Sequence, residues 1–270
     1  MKMHLPTPKI NPSFLLFIIC GLGLAATPTI VRADFVPMSE PNDAPADTIT
    51  TGRRLYTPPP DAGAPRGTTS TGRRGGCGGQ TTTQLTALAP YQHVGQTTST
   101  HPTFVWYSPT SEPIPTEFRL YRYQDNGDRR LVYETDLQNS SQFMSLSLPE
   151  DEPGLMVGNT YQWQVVMLCN PNRPSTAQVV EADIQVVNPP VSVSTTIDSI
   201  SNPLERAVLF AESGLWYNAL SEVLSVDETS EGRSLMMSLV EDLANLEKES
   251  EFQFSVEQGE KLSQILEVEQ

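Results

Sequence analysis

The sequence predicts a mainly β protein with an α appendage, in which a seven-stranded sandwich precedes an acidic C-terminal helical region. Apolar and polar residues alternate in several short runs between about 85 and 188, which is typical of strands with one buried face. From residue 199 onward, apolar residues recur at spacings of three and four, as in amphipathic helices. A length of 270 residues allows one or two domains.

The predicted strands are short runs bounded by turn residues. They lie at 85–89, 103–107, 117–123, 130–134, 142–148, 160–169 and 179–187. Between the third and fourth runs, Asn126-Gly127 favours a hairpin turn that needs positive φ. Seven strands in about 100 residues match the size and strand number of an immunoglobulin-like β-sandwich, which we place at residues 85–190.

The entry to the sixth strand carries a second pattern. Leu155, Gly158 and Tyr161 form Leu-x-x-Gly-x-x-Tyr. This resembles the tyrosine corner of fibronectin type III domains, in which the phenol bonds an upstream backbone group. Trp106 resembles the buried tryptophan of the second strand in that superfamily, and Trp163 lies on the inward face of the sixth run. These resemblances concern the fold and imply no function.

The helical region at residues 199–270 holds most of the net negative charge. Asn202 is a good N-cap, and Pro203 suits the first helical position. The segment 211–220 resembles a single tetratricopeptide-type hairpin, whereas repeat arrays need three or more units, so an ordinary helical appendage is the alternative. The apolar stripes of these helices are candidate interaction residues: Trp216, Leu220, Val223, Leu235, Met236 and Leu239.

The N-terminus has the features of a secretory signal peptide spanning residues 1–33. An apolar segment of 13 residues at 14–26 follows two lysines, and Val31-Arg32-Ala33 precedes a cleavage site at Asp34. A membrane-spanning helix needs about 20 apolar residues, so we expect no stable membrane span after cleavage. An uncleaved anchor is the alternative. We expect a periplasmic, outer-membrane-associated or extracellular protein.

Residues 34–84 are rich in Pro, Gly and Thr and are predicted to form a disordered linker, because they contain few large apolar side chains. The linker repeats Thr-Gly-Arg-Arg at 51–54 and 71–74, which indicates either a basic arm or a solvated linker of biased composition. Cys20 leaves with the signal peptide. Cys77 and Cys169 remain, and an oxidising compartment favours a disulfide between them over two free thiols.

The net charge and the absence of known catalytic motifs exclude several classes of function. A formal net charge of −15 excludes nucleic-acid binding driven by phosphate neutralisation. The sequence has no metal-binding, phosphate-binding or nucleophile motif, so we predict no cofactor and no catalytic residue. We expect a non-catalytic envelope protein that binds an unknown envelope protein or a surface polymer. The alternative is a carboxylate-dependent hydrolase or lyase acting on envelope glycans.

A set of motifs between about 65 and 245 resembles the secreted cyanobacterial family called domain of unknown function 928. The motifs are Cys77 after a Gly-rich segment, Leu85–Pro90, His101–Tyr107, Tyr161-Gln162-Trp163, Cys169 with Arg173-Pro174, and Gly214–Leu220. The resemblance implies a Gram-negative exported protein. It offers no activity and no catalytic residues to carry over.

Export is testable directly. We predict that the protein isolated from the producing cell begins at Asp34, because the short apolar segment and Val31-Arg32-Ala33 form a signal-peptidase site. Mass spectrometry of the intact protein and of its N-terminal peptide measures this. An intact Met1 in the envelope fraction would contradict the prediction.

Overall fold

The computed structural model describes residues 54–67, 70–71, 77, 83–170, 172–226 and 229–269. The predicted signal peptide and the predicted linker up to residue 53 lie outside these ranges. The chain from Thr50 to Gln270 forms one unit.

Nine strands form two sheets within the described residues, so the predicted number of seven is wrong. The strands are β1 (Ser70–Thr71), β2 (Thr86–Ala87), β3 (Gly95–Thr97), β4 (Thr103–Tyr107), β5 (Pro115–Tyr123), β6 (Arg129–Gln138), β7 (Phe143–Ser147), β8 (Thr160–Met167) and β9 (Gln178–Val186). The seven predicted runs coincide with β2 and with β4 to β9. The additional strands β1 and β3 are too short to show an alternation in the sequence.

The two sheets face each other as a sandwich. The larger sheet has the order β1-β9-β8-β5-β6, with β3 pairing in parallel with β9, and the smaller has the order β2-β4-β7. The Phe104 ring of the smaller sheet lies 5.0 Å from Phe118 and 5.6 Å from Trp163 of the larger sheet, between ring centroids. The alternating apolar residues of both sheets therefore form a shared core.

Five α-helices follow the strands in the part of the chain that the structure describes, which makes the fold mixed α and β. They are α1 (Val191–Thr196), α2 (Pro203–Glu212), α3 (Trp216–Leu224), α4 (Ser230–Lys248) and α5 (Gln253–Glu269). Asn202 caps α2 by accepting a hydrogen bond from Leu204 N at 2.9 Å. Gly214, with φ of 79°, permits the tight turn between α2 and α3. No helix in the described ranges is both long and apolar enough to cross a membrane.

The helices share their core with the sandwich instead of forming a separate appendage. Helix α3 contacts β3 of the larger sheet and β4 of the smaller one. Trp163 Nε1 of β8 donates to Tyr217 Oη at 2.8 Å, and Trp216 Nε1 donates to the carbonyl of Leu88 at 2.8 Å. One continuous hydrophobic cluster runs from the sheets through α2 to α5. Helix α3 is thus an integral part of the sandwich interior.

Residues 54–67, which we call the strap, follow a defined path although they belong to the segment predicted to be disordered. The Tyr56 side chain is 0% exposed. Asp242 accepts hydrogen bonds from the backbone N–H groups of Leu55 and Tyr56, and Thr57 N donates to Ala211 O at 3.1 Å. One buried aromatic ring and several backbone hydrogen bonds stabilise this path of the Pro-rich segment.

The predicted disulfide between Cys77 and Cys169 is confirmed. The two Cα atoms are 4.6 Å apart, and 92 positions separate the residues in sequence. Cys169 lies just after β8, so the bridge attaches the chain that follows β1 to the end of a central strand. A loop of this length limits the unfolded chain substantially in the entropic account of disulfides.

The Leu-x-x-Gly-x-x-Tyr segment folds around its tyrosine. Met156 N donates to Tyr161 Oη at 2.9 Å, five residues upstream in sequence. Gly158 has φ of 83°, which allows the chain to turn into β8, and Leu155 is buried. The phenol therefore joins the loop before β8 to the strand itself.

We predict that Tyr161→Phe lowers the free energy of unfolding by about 1 kcal/mol, because the N–H of Met156 loses its acceptor. Tyr133→Phe is a matched control, since the Tyr133 ring also packs on the core and its hydroxyl makes no hydrogen bond within the described ranges. Urea unfolding of the oxidised proteins measures both. Equal losses for the two variants would show that the hydrogen bond contributes nothing of its own.

Candidate interaction surface

The apolar stripes predicted to bind a partner are not available at the surface. Each of the six side chains is at most 5% exposed: Trp216, Leu220, Val223, Leu235, Met236 and Leu239. Helix α3 packs against both sheets and against α2 and α4, and α4 packs against α5. The structure places these candidate interaction residues in the protein's own core, where they pack against the sandwich and the neighbouring helices.

The aromatic residues singled out in the strands have the same role. Trp106 and Trp163 are fully buried, and Phe118 packs against both, with ring centroids 6.4 and 6.3 Å away. These side chains lie between the two sheets and are inaccessible to a ligand.

Asp183 on β9 connects three parts of the molecule through buried hydrogen bonds. Its Oδ2 accepts from Arg66 N of the strap at 2.7 Å, and its Oδ1 accepts from Tyr123 Oη at 3.0 Å. Its backbone carbonyl accepts from Tyr217 Oη at 3.1 Å. Burial raises the pKa of the Asp183 carboxyl, and the bonds to the strap and Tyr123 oppose that rise.

Glu247 on α4 is a second buried carboxyl with its acceptor sites filled. Its Oε1 accepts from Tyr91 N at 2.7 Å and Gln92 N at 3.0 Å, and its Oε2 accepts from Ser255 Oγ. Burial raises the pKa of Glu247, and these bonds counteract it. Glu247 therefore attaches the loop after β2 to α4 and α5, and its position gives it no access to a substrate.

His93 lies in the core beneath the strap. Its Nε2 is 2.7 Å from Tyr56 Oη, and the Tyr56 ring meets the Trp216 ring edge-on at 4.9 Å. Burial lowers the pKa of His93 to about 4, so the imidazole is neutral at neutral pH. Its Nδ1 is buried with no partner in the described residues. Protonation would place an unpaired charge next to the buried Tyr56 ring.

The larger sheet presents a polar and aromatic surface on the side away from the smaller sheet. We call this surface the outer face; its residues are Glu117, Arg119, Tyr121, Tyr123, Arg129, Leu131, Glu134, Asp136, Gln164 and Glu181. Gln162 and Asp183 lie on the same side of the sheet but are buried beneath the strap. The outer-face residues alternate with the core residues of β5, β6, β8 and β9 and are aligned by the strand register. Arg119, for example, lies opposite Glu134 on one side and opposite Gln164 on the other.

Side-chain contacts across the strands fix the groups of the outer face. Arg129 donates to Gln162 Oε1 and lies 3.6 Å from Glu181 Oε1, while its guanidinium is 5.3 Å from the Tyr121 ring centroid. Gln164 donates to Glu181, which strengthens the same row. Such cross-strand pairs restrict long side chains before any partner binds, so binding costs less conformational entropy.

The chemistry of the outer face suits recognition. Tyrosine and arginine are among the residues enriched at protein interfaces, because each offers a large contact area together with hydrogen-bond donors. In the described residues, no three His, Cys, Asp or Glu side chains are grouped in a way that could hold a metal ion. The sequence signal for this surface was the third predicted strand, where Arg119 and Tyr121 alternate with the core residues Phe118 and Leu120.

The fold and this surface define a β-sandwich protein with a helical layer built into its core and a polar, aromatic sheet face. The family model described as Domain of Unknown Function (DUF928) matches residues 69–257, and the chain belongs to this family. The resemblance inferred from the sequence motifs is thereby confirmed. Among curated proteins, none matches the chain.

We predict that acid destabilises the protein through His93. The pKa of His93 is about 4 in the folded protein against an ordinary 6.5, so its contribution to stability is complete above 6.5 and is lost as pH falls toward 4. At about pH 5 the loss amounts to about 2 kcal/mol.

His93→Gln isolates this effect, because the amide can still accept from Tyr56 Oη but does not titrate in this range. The measurement is the difference in unfolding free energy between wild type and variant at about pH 7.5 and about pH 5. Asp183 and Glu247 are common to both proteins and cancel in that difference. A difference that stays constant between the two pH values would contradict the prediction.

Proposed function

We propose that this is an exported, non-catalytic envelope protein that binds an envelope protein or surface polymer through the outer face. The single observation that carries the proposal is the row of Tyr121, Arg129 and Glu181, whose side chains are held in place on a sheet face. The mixed charge of this row favours a protein partner over an anionic polymer. Export rests on the N-terminal sequence.

We further propose that the sandwich is immunoglobulin-like. The smaller sheet, β2-β4-β7, matches the order of strands A, B and E in that fold. The sequence β9-β8-β5-β6 in the larger sheet matches G, F, C and C′. The bond between Met156 N and Tyr161 Oη supports the same assignment, because it is the contact made by a tyrosine corner.

A glycan hydrolase or lyase is the second candidate, because one groove on the outer face is lined by three carboxylates. Glu117 lies opposite Asp136 across β5 and β6, and Glu134 is nearby. Glu117 is paired with Arg119, which favours a structural role for its carboxylate. Turnover of envelope glycans that is lost in Glu117→Gln/Asp136→Asn would favour the enzyme over the binding module.

We predict that Arg119→Ala/Tyr121→Ala abolishes recovery of the partner in the native envelope, because both side chains belong to the outer face and are only partly buried. Crosslinking of the exported protein, followed by affinity purification and mass spectrometry, identifies the partner without assuming a reaction.

Phe252→Ala/Phe254→Ala is the matched control. It removes two stacked rings, 52% and 40% exposed, from the start of α5 and leaves the sheet untouched. Circular dichroism should show all proteins folded. The proposal would be overturned if the partner were still recovered with Arg119→Ala/Tyr121→Ala but lost with Phe252→Ala/Phe254→Ala. The binding site would then lie on the helices.

A further inference from the structure

We infer that strand β6 pairs with β6 of a second copy of this chain, in antiparallel orientation, to form a two-fold symmetric dimer. This inference concerns the edge of the larger sheet and does not depend on the outer face binding any partner.

The two edges of the larger sheet are treated differently. Strand β9 is covered by β1 at Val179 and Val180 and by β3 from Ile184 to Val186. Strand β6 is last in the sheet order, and no other described strand pairs with its far side. It is one of the longest strands, and Leu131 and Val132 are each 41% exposed. Its unpaired backbone groups are a template for another strand.

The order of charges along β6 indicates that the pairing strand is a second copy of β6 in antiparallel orientation. The strand begins with Arg129-Arg130 and carries Glu134 and Asp136 in its second half. An antiparallel copy places the basic end of each strand beside the acidic end of the other. A parallel copy would place like charges side by side, which is unfavourable.

One register satisfies both the charges and the faces of the sheet. It places Arg129 opposite Asp136 of the second copy and Leu131 opposite its Glu134, all of which belong to the outer face. Val132 has no partner in β5 and then lies opposite Tyr133 of the second copy. The Val132 irregularities of the two copies therefore lie next to each other at the symmetry axis. The contact is self-complementary, as a two-fold interface requires.

Charges and bulges on an edge strand also serve to prevent association. Charges of any order along an edge strand would prevent association. In β6, however, the basic residues lie in the first half of the strand and the acidic residues in the second half. In the described residues, Arg130, Glu134 and Asp136 form no salt bridge within the chain, whereas Arg129 lies 3.6 Å from Glu181 and would add Asp136 of the second copy as a further partner. A contact along one strand is small, so the dimer should form weakly and depend on concentration.

Charge reversal tests the inference. Arg129→Glu/Arg130→Glu makes the whole edge acidic, and Glu134→Arg/Asp136→Arg makes it basic. Sedimentation velocity of the oxidised protein should show a concentration-dependent dimer for wild type and about tenfold weaker association for each variant alone. An equimolar mixture of the two variants should form a heterodimer about as strong as the wild-type dimer, since both pairings become complementary again.

Glu260→Arg/Glu267→Arg on α5 is the control, because it changes the net charge as much as the basic variant does and leaves β6 intact. It should dimerise like wild type. A monomer at all concentrations, a mixture that does not associate, or a wild-type dimer insensitive to both edge variants would each overturn the inference. Hydrogen exchange that finds the β6 amides pointing away from β5 protected in the monomer would also overturn it, because another segment would then cover the edge.

Discussion

Asp183 is the residue on which the assembly of sheet, helix and strap depends. Its carbonyl accepts from Tyr217 of α3, and its carboxylate accepts from the strap and from Tyr123. Tyr217 in turn accepts from Trp163, so a chain of buried polar contacts crosses from β8 to α3 and back to β9. Buried polar groups are costly without partners. Any shift of α3 along the sheets would break several of these bonds together, which fixes where the helix lies.

This arrangement explains how a helical segment becomes part of a β-sandwich core. Helix α3 contacts one strand of each sheet and contributes Trp216, Tyr217 and Leu220 to the shared interior. The sheets alone would leave that side of their core open. Glu247 joins α4 to the loop after β2 in the same manner, with a buried carboxylate that accepts backbone hydrogen bonds. The helices and the sandwich therefore stabilise each other.

The sequence predicts local structure well here because alternation and helical spacing are set by neighbours in the chain. All seven predicted runs became strands, and the cap at Asn202 is present. The partners of each apolar face are not encoded locally, so the spacing of the stripe around Trp216 could not distinguish packing on the sandwich from packing on another protein. The ordered path of the strap could not be predicted because composition averages over many residues. A single buried side chain, Tyr56, determines that path. Alternation did place Arg119 and Tyr121 away from the core, but only the register revealed the neighbours of each on the adjacent strands.

The path of the strap has a consequence for the order in which the protein folds. Tyr56 is made early, yet the Asp242 that accepts its N–H lies 186 positions later. The strap cannot take its final position until nearly the whole chain has been synthesised. Closure of the strap is therefore a late step of high contact order.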